Sequence, residues 1–212
     1  MKKHILLYGD SNTWGHDGIN MCRYPDSVRW TSQVKEMLGE GYYVIAEGLS
    51  GRTTVFDDPL TEGLSGISTL APILMSHMPL DYLVIMLGTN DTKARFSATA
   101  HNITKGLIRL VKKARSLEVW RLKPQILVIA PIIIDKRIYD VAESAGGMGP
   151  GCVEKSEMLP SLYKEAAKLL NVDYMDSNPY VTPAIGDWMH FDRQSNGRFA
   201  KALAETIVKN LG

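Results

Sequence analysis

Ile5-Leu6-Leu7-Tyr8-Gly9-Asp10-Ser11-Asn12-Thr13-Trp14-Gly15 sets the reading of the whole chain. Residues 5–8 are apolar without alternation, as in a strand covered on both faces. They stop at a glycine-bounded turn of small hydrogen-bonding residues. The pattern recurs downstream. Residues 43–46 run into Glu47-Gly48-Leu49-Ser50-Gly51-Arg52, and residues 82–87 into Gly88-Thr89-Asn90-Asp91. Residues 126–130 and 172–175 are further apolar runs of the same kind. Between the runs lie segments with helical periodicity. Residues 27–38 carry Val28, Val34, Met37 and Leu38; residues 98–117 carry Ile103, Leu107, Leu110, Val111 and Leu117; residues 159–170 and 197–211 close the series. Gly39 and Gly41 suit the stop of the first helix. Strands alternating with helices predict an α/β fold of βαβ units on a parallel sheet, with functional groups gathered at the carboxyl edge of the strands.

The chain has 212 residues, within reach of one domain, and no repeat or Pro/Gly-rich linker divides it. One domain over residues 1–212 is therefore expected. Residues 132–158 are the long irregular stretch. They include Gly146-Gly147-Met148-Gly149-Pro150-Gly151, read as unable to continue a helix or central strand. A lid, an interface or a poorly ordered segment is expected there. Lys plus Arg number 24 and Asp plus Glu 23, so charge gives no reason to expect a nucleic acid or an anionic membrane as partner. Lys112, Lys113 and Arg115 read as a solvated helix face. Cys22 and Cys152 match no metal or redox spacing and read as free thiols. The apolar run at residues 5–8 is too short for a signal peptide, and no stretch approaches the ~18 residues of a membrane span, so a cytoplasmic location is expected.

Acyl transfer needs a nucleophile, a base within hydrogen-bond reach, a group that orients the base, and donors aimed at the oxyanion. Ser11 sits in a tight turn that can present its hydroxyl. Asp187-Trp188-Met189-His190-Phe191 places an acid three residues before a histidine, so both side chains fall on one side of a turn. Gly51 can bring a bare N–H close to substrate. The Asn90 amide and the Ser11 N–H are two further donors. The expected catalytic residues are thus Ser11, Asp187 and His190, with Ser11, Gly51 and Asn90 as the oxyanion hole. Asp10 reads as the holder of the first turn and as a pocket candidate, together with Trp14 and Trp188. His16 is a rim candidate. Arg52 and Lys93 read as substrate contacts or ordinary surface charge.

These four segments resemble the four sequence blocks of the SGNH hydrolase superfamily, with Ser11, Gly51, Asn90 and His190 at its marking positions. The strings GDSNTWG, EGLSGRTT, MLGTNDTK and DWMHFD are similar to those of bacterial arylesterases and acyltransferases of the GDSL type. The resemblance covers nearly the whole chain. It implies a three-layer α/β/α sandwich with a five-stranded parallel sheet, flavodoxin-like in arrangement. It also implies a serine esterase acting on short-chain, acetyl esters through an acyl-enzyme, with acyl transfer to alcohols as a second outcome. No cofactor and no metal are implied; the partner is a small-molecule ester, and residues 132–158 are the candidate contact of a homo-oligomer. Asn12 departs from the Leu or Ile of many members, which bears on substrate fit. Alternatives are a carbohydrate O-acetyl esterase and a catalytically silent ester-binding module. The G-x-S-x-G elbow of α/β-hydrolases is absent, and Gly9 to Gly15 does not read as the dinucleotide motif G-x-G-x-x-G, although Glu47 ends the second run. A metal held by Asp187 and His190, with Asp10 or Asp91, lacks a supporting His- or Cys-rich cluster.

Overall fold

Strand β1 (Lys3–Gly9) lies between β4 (Tyr42–Gly48) and β5 (Tyr82–Met86), and β6 (Ile126–Ala130) and β7 (Asp173–Asp176) extend the sheet in the order β4-β1-β5-β6-β7. All four pairings are parallel. This is a computed structural model, and it describes residues 1–211. The lack of alternation in the strands has a direct cause. On β1, Leu6 and Tyr8 face one core and Ile5 and Leu7 the other, with every one of them buried. Helices α3 (Gly66–Ser76), α4 (Ala100–Arg115) and α6 (Cys152–Leu170) cover the first face. Helices α2 (Trp30–Leu38) and α7 (Arg193–Leu211) cover the second, where Trp30 meets Phe199 edge-on at 5.1 Å between ring centroids. The result is the three-layer α/β/α sandwich with five parallel strands.

The chain leaves β1 toward β4 on one side and returns to β5 on the other, which makes the carboxyl edge of β1 the switch point of the sheet, where such folds open a crevice. Ser11 follows β1, Gly51 follows β4 and Asn90 follows β5, so all three stand at that crevice. Helix α1 (Ser11–Trp14) begins on the serine itself, and a two-stranded hairpin, β2 (His16–Asp17) with β3 (Cys22–Arg23), follows it.

Two parts of the sequence reading change. Helix α3 occupies a segment assigned no element, and it keeps Pro72 in its interior while burying Leu70 and Leu74. Residues 132–158 are not irregular throughout. Helix α5 (Ala142–Met148) runs through Gly146 and Gly147, and α6 starts at Cys152, so the break falls at Gly149-Pro150-Gly151 alone. Burial outweighs the weak propensity of the glycines: Met148, Cys152 and Val153 close a small third core with Ile134 and Ile138. Cys22 is exposed, Cys152 is buried, and both are free. Among the described residues no helix is long and apolar enough to cross a membrane.

Candidate active site

The Ser11 turn is held from below. Asp10 caps α1, its Oδ1 accepting from the Asn12 N–H at 3.0 Å, and the Trp14 N–H closes on the Asp10 carbonyl at 2.9 Å. Asp187 turns the late loop in a similar way. Its Oδ1 accepts from the N–H groups of Met189 and His190, both at 3.1 Å. Its Oδ2 is then free to face the imidazole, 2.6 Å from His190 Nδ1. His190 Nε2 lies 2.7 Å from Ser11 Oγ, across 179 residues of sequence. All three side chains are buried. Burial works to raise the Asp187 carboxyl, but the hydrogen bond and charge of His190 hold it below the usual carboxylate range. The ring is thus fixed in one orientation between a carboxylate and a hydroxyl.

Asn12 is a structural link rather than an isolated variation beside Ser11. Its Oδ1 accepts from the Phe191 N–H at 2.9 Å, and its Nδ2 donates to the Met189 carbonyl at 3.3 Å. One amide next to Ser11 therefore brackets His190 on both sides of its backbone. Nothing in the sequence pattern links residue 12 to residues 189 and 191.

Ser11, Gly51 and Asn90 line one cavity of about 470 Å³, with His190 and Asp187 on the same wall. Gly51 holds φ +87°, a region costly for a side-chain-bearing residue. Among the described residues, neither the Ser11 nor the Gly51 N–H has a protein acceptor. Asn90 Nδ2 donates one hydrogen to the Arg52 carbonyl at 3.1 Å, which fixes the amide and leaves its second hydrogen. Beneath this edge are two buried carboxyls. Asp91 accepts from the Thr54 N–H and hydroxyl, yet burial pushes it up to about 7. Asp10, with Oδ2 unpartnered, is pushed up by burial to about 6.

Several pocket candidates lie elsewhere. Asp10 is under the site and does not line the cavity. Trp14 turns outward against the Arg23 guanidinium, 5.0 Å from the ring centroid. Trp188 stacks under Arg137 at 3.7 Å and packs on the third core. None of the three is on the cavity wall. Arg52 is neither surface charge nor substrate contact: it is buried over the Tyr8 ring, and its guanidinium donates to the carbonyls of Gly9 and Glu47, tying the ends of β1 and β4. Lys93 does line the cavity. The wall also includes Ile19, Met21, Val141, Glu143, Met148 and Met189, drawn from turns and from α5 that carry no chemical signature in sequence.

His16 reaches the cavity from the hairpin, its ring 4.3 Å from that of His190. Burial, then the charge of His190, lower its basicity. Gly18 packs so tightly on Asp187 that a Cβ there would stand 2.2 Å from Oδ2. His16, Asp187 and His190 each present a ligand atom, and these lie within 4.8 Å of one another; Asp10 and Asp91 do not join them.

The site can be set beside known proteins. A family model for the GDSL-like lipase/acylhydrolase family matches residues 7–196. No curated protein matches the chain. Among solved structures, it is similar to a carbohydrate acetylesterase family member from Sinorhizobium meliloti at 35% identity and a TM-score of 0.93, over 99% of each chain. It is also similar to the M. smegmatis aryl esterase at 33% identity and a TM-score of 0.89, over 99% of this chain and 100% of the other. A G-D-S-L family protein from Veillonella parvula, at 16% identity and a TM-score of 0.72 over 98% and 99%, shares the fold. With its Ser, Gly, Asn and His brought to one cavity in the SGNH arrangement, the chain belongs to the GDSL-like lipase/acylhydrolase family and is a hydrolase of the esterase type.

Proposed function

We propose that the protein hydrolyses short-chain, above all acetyl, carboxylic esters through an acyl-enzyme on Ser11. The observation that carries this is the unbroken Asp187–His190–Ser11 chain of hydrogen bonds opening on a cavity that also holds the Gly51 N–H and the Asn90 amide. His190 takes the Ser11 proton through Nε2 as Oγ adds to the ester carbonyl. Asp187, ionised, steadies the imidazolium that forms. The N–H groups of Ser11 and Gly51 and the Asn90 amide hold the oxyanion, and loss of one such donor costs about 10²–10³ in turnover. His190 then protonates the departing alcohol and activates the water that releases the acid. A primary alcohol in place of that water gives a transester, which is seen by measuring ester against free acid in the presence of the alcohol. Ser11→Ala should abolish hydrolysis of p-nitrophenyl acetate with the fold intact; near wild-type turnover in that variant contradicts the proposal.

Acetylated sugars are the second substrate class. Lys93, Arg95, Glu143 and Ser144 give the cavity a polar side suited to a hydroxyl-rich leaving group, and a similar protein is a carbohydrate acetylesterase. Comparing kcat/KM for acetylated sugars and aryl acetates separates the two. The same reading includes a homo-oligomer formed through residues 132–158, and a gel-filtration mass of one chain rejects it.

A further inference from the structure

We infer that His16, Asp187 and His190 form a binding site for one zinc-like divalent cation, and that filling it switches hydrolysis off. Two imidazoles and a carboxylate offer three ligand atoms within 4.8 Å of one another, and all three residues line the open cavity. Three protein ligands with a fourth position left for water is the donor count of many open zinc sites. The mixed nitrogen and oxygen set favours Zn²⁺, Co²⁺ or Ni²⁺ over Mg²⁺ and Ca²⁺, which prefer oxygen alone.

Bond lengths of about 2.0–2.2 Å in a tetrahedron put ligand atoms about 3.3 Å apart, so separations that are all within 4.8 Å must close by no more than about 1.5 Å. Binding breaks one hydrogen bond of the His190 ring, to Ser11 at Nε2 or to Asp187 at Nδ1, while the Met189 and His190 N–H groups still hold Asp187 Oδ1. His16 is the member that can move, because it is half-buried and stands on a hairpin strand of two residues. Its ring already lies against that of His190, at 4.3 Å between centroids and tilted by 49°. The consequence follows from what the cation takes. Either ring nitrogen of His190 that it captures is one the reaction needs: Nε2 accepts the serine proton, and Nδ1–H is held by Asp187. Metal and substrate turnover are therefore mutually exclusive. Substitution of the ordinary nucleophile site by a metal-activated water is not involved. His16 has no part in the acyl-transfer steps, and its presence is what converts a two-ligand pair into a three-ligand site.

The inhibitory consequence rests on Ser11 and His190 acting as nucleophile and base, but binding itself does not, so the two are read separately. Cys22, exposed on β3, is a competing soft ligand and is removed as Cys22→Ser in every sample. Cobalt is titrated into the metal-free protein and followed by its visible absorption, and zinc inhibition of p-nitrophenyl acetate hydrolysis is measured with each variant referred to its own zinc-free rate. We expect one Co²⁺ per chain, displaced by Zn²⁺. In His16→Phe the cobalt band should vanish and the zinc concentration for half-inhibition should rise by at least about tenfold. Absence of the band in the parent protein, or equal zinc sensitivity in His16→Phe, overturns the site while leaving esterase activity untouched. Cobalt binding that depends on His16 in a protein that hydrolyses no ester upholds the site and overturns its inhibitory role along with the esterase reading.

Discussion

Ser11, Asp187 and His190 form one side of the cavity; Val141, Glu143, Ser144 and Gly147 form another, and the two sides are held in different ways. The first side is buried and joined by a continuous series of hydrogen bonds that also takes in Asn12, Met189 and Phe191. The second comes from α5, a helix of seven residues whose N-terminus has no side-chain cap and whose Glu143 is exposed. Ordering the first side fixes atoms to within the tolerance that proton transfer demands. The second side lines the cavity from a short, weakly capped helix, which accommodates substitution at small cost to stability. In the proposed function, the chemistry and the selectivity thus fall to parts of unequal rigidity.

The contrast can be broken most sharply at His190. His190→Ala should lower turnover of p-nitrophenyl acetate by about 10⁶, and adding Ser11→Ala should lower it little further, because the two act as a unit. An additive loss in the double variant would separate them. A second effect lies under the rigid side. Asp10 is raised by burial from 3.8 to about 6, so the folded protein holds its proton more tightly than the unfolded chain. Between those pH values the native state binds more protons, and stability from this group falls as pH rises. Asp10→Asn removes the penalty: relative to the parent it should gain up to about 3 kcal/mol more at pH 8 than at pH 4, measured by denaturant unfolding. A difference independent of pH refutes the assignment. Asn12→Leu tests the bracket around His190. It should lower kcat by about tenfold with KM little changed, since the ring loses alignment rather than substrate contact. The smallest effect is on the soft side. Val141→Ala should leave acetate turnover within about threefold and raise the butyrate-to-acetate ratio of kcat/KM by up to about tenfold.

Much of this was readable before any coordinates. The strand runs are visible because burial on both faces leaves nothing but apolar residues, as at Ile5, Leu6 and Leu7. Ser11, Asp187 and His190 are legible because acyl transfer restricts residue type and local spacing together. The failures have physical causes. Gly146 and Gly147 read as helix breakers, yet burial of Met148 and Cys152 carries helices to either side of Gly149-Pro150-Gly151. Helix α3 hides behind Pro72. Arg52 reads as surface charge because nothing local reveals that the carbonyl ends of β1 and β4 await a buried donor. Trp14 and Trp188 sit near Ser11 and beside Asp187 in sequence but lie off the cavity wall, each covered by an arginine. The wall residues Ile19, Met21 and Val141 answer to shape, which is a property of the assembled chain and not of any motif.

The central claim is that the Ser11 oxygen becomes the covalent nucleophile only while His190 and Asp187 hold it. Intact-mass and peptide analysis after treatment with an organophosphonate tests it directly. One adduct per chain on Ser11, lost in Ser11→Ala and strongly slowed in His190→Ala, is the expected result; an unmodified Ser11, or an adduct that forms equally fast without His190, contradicts it.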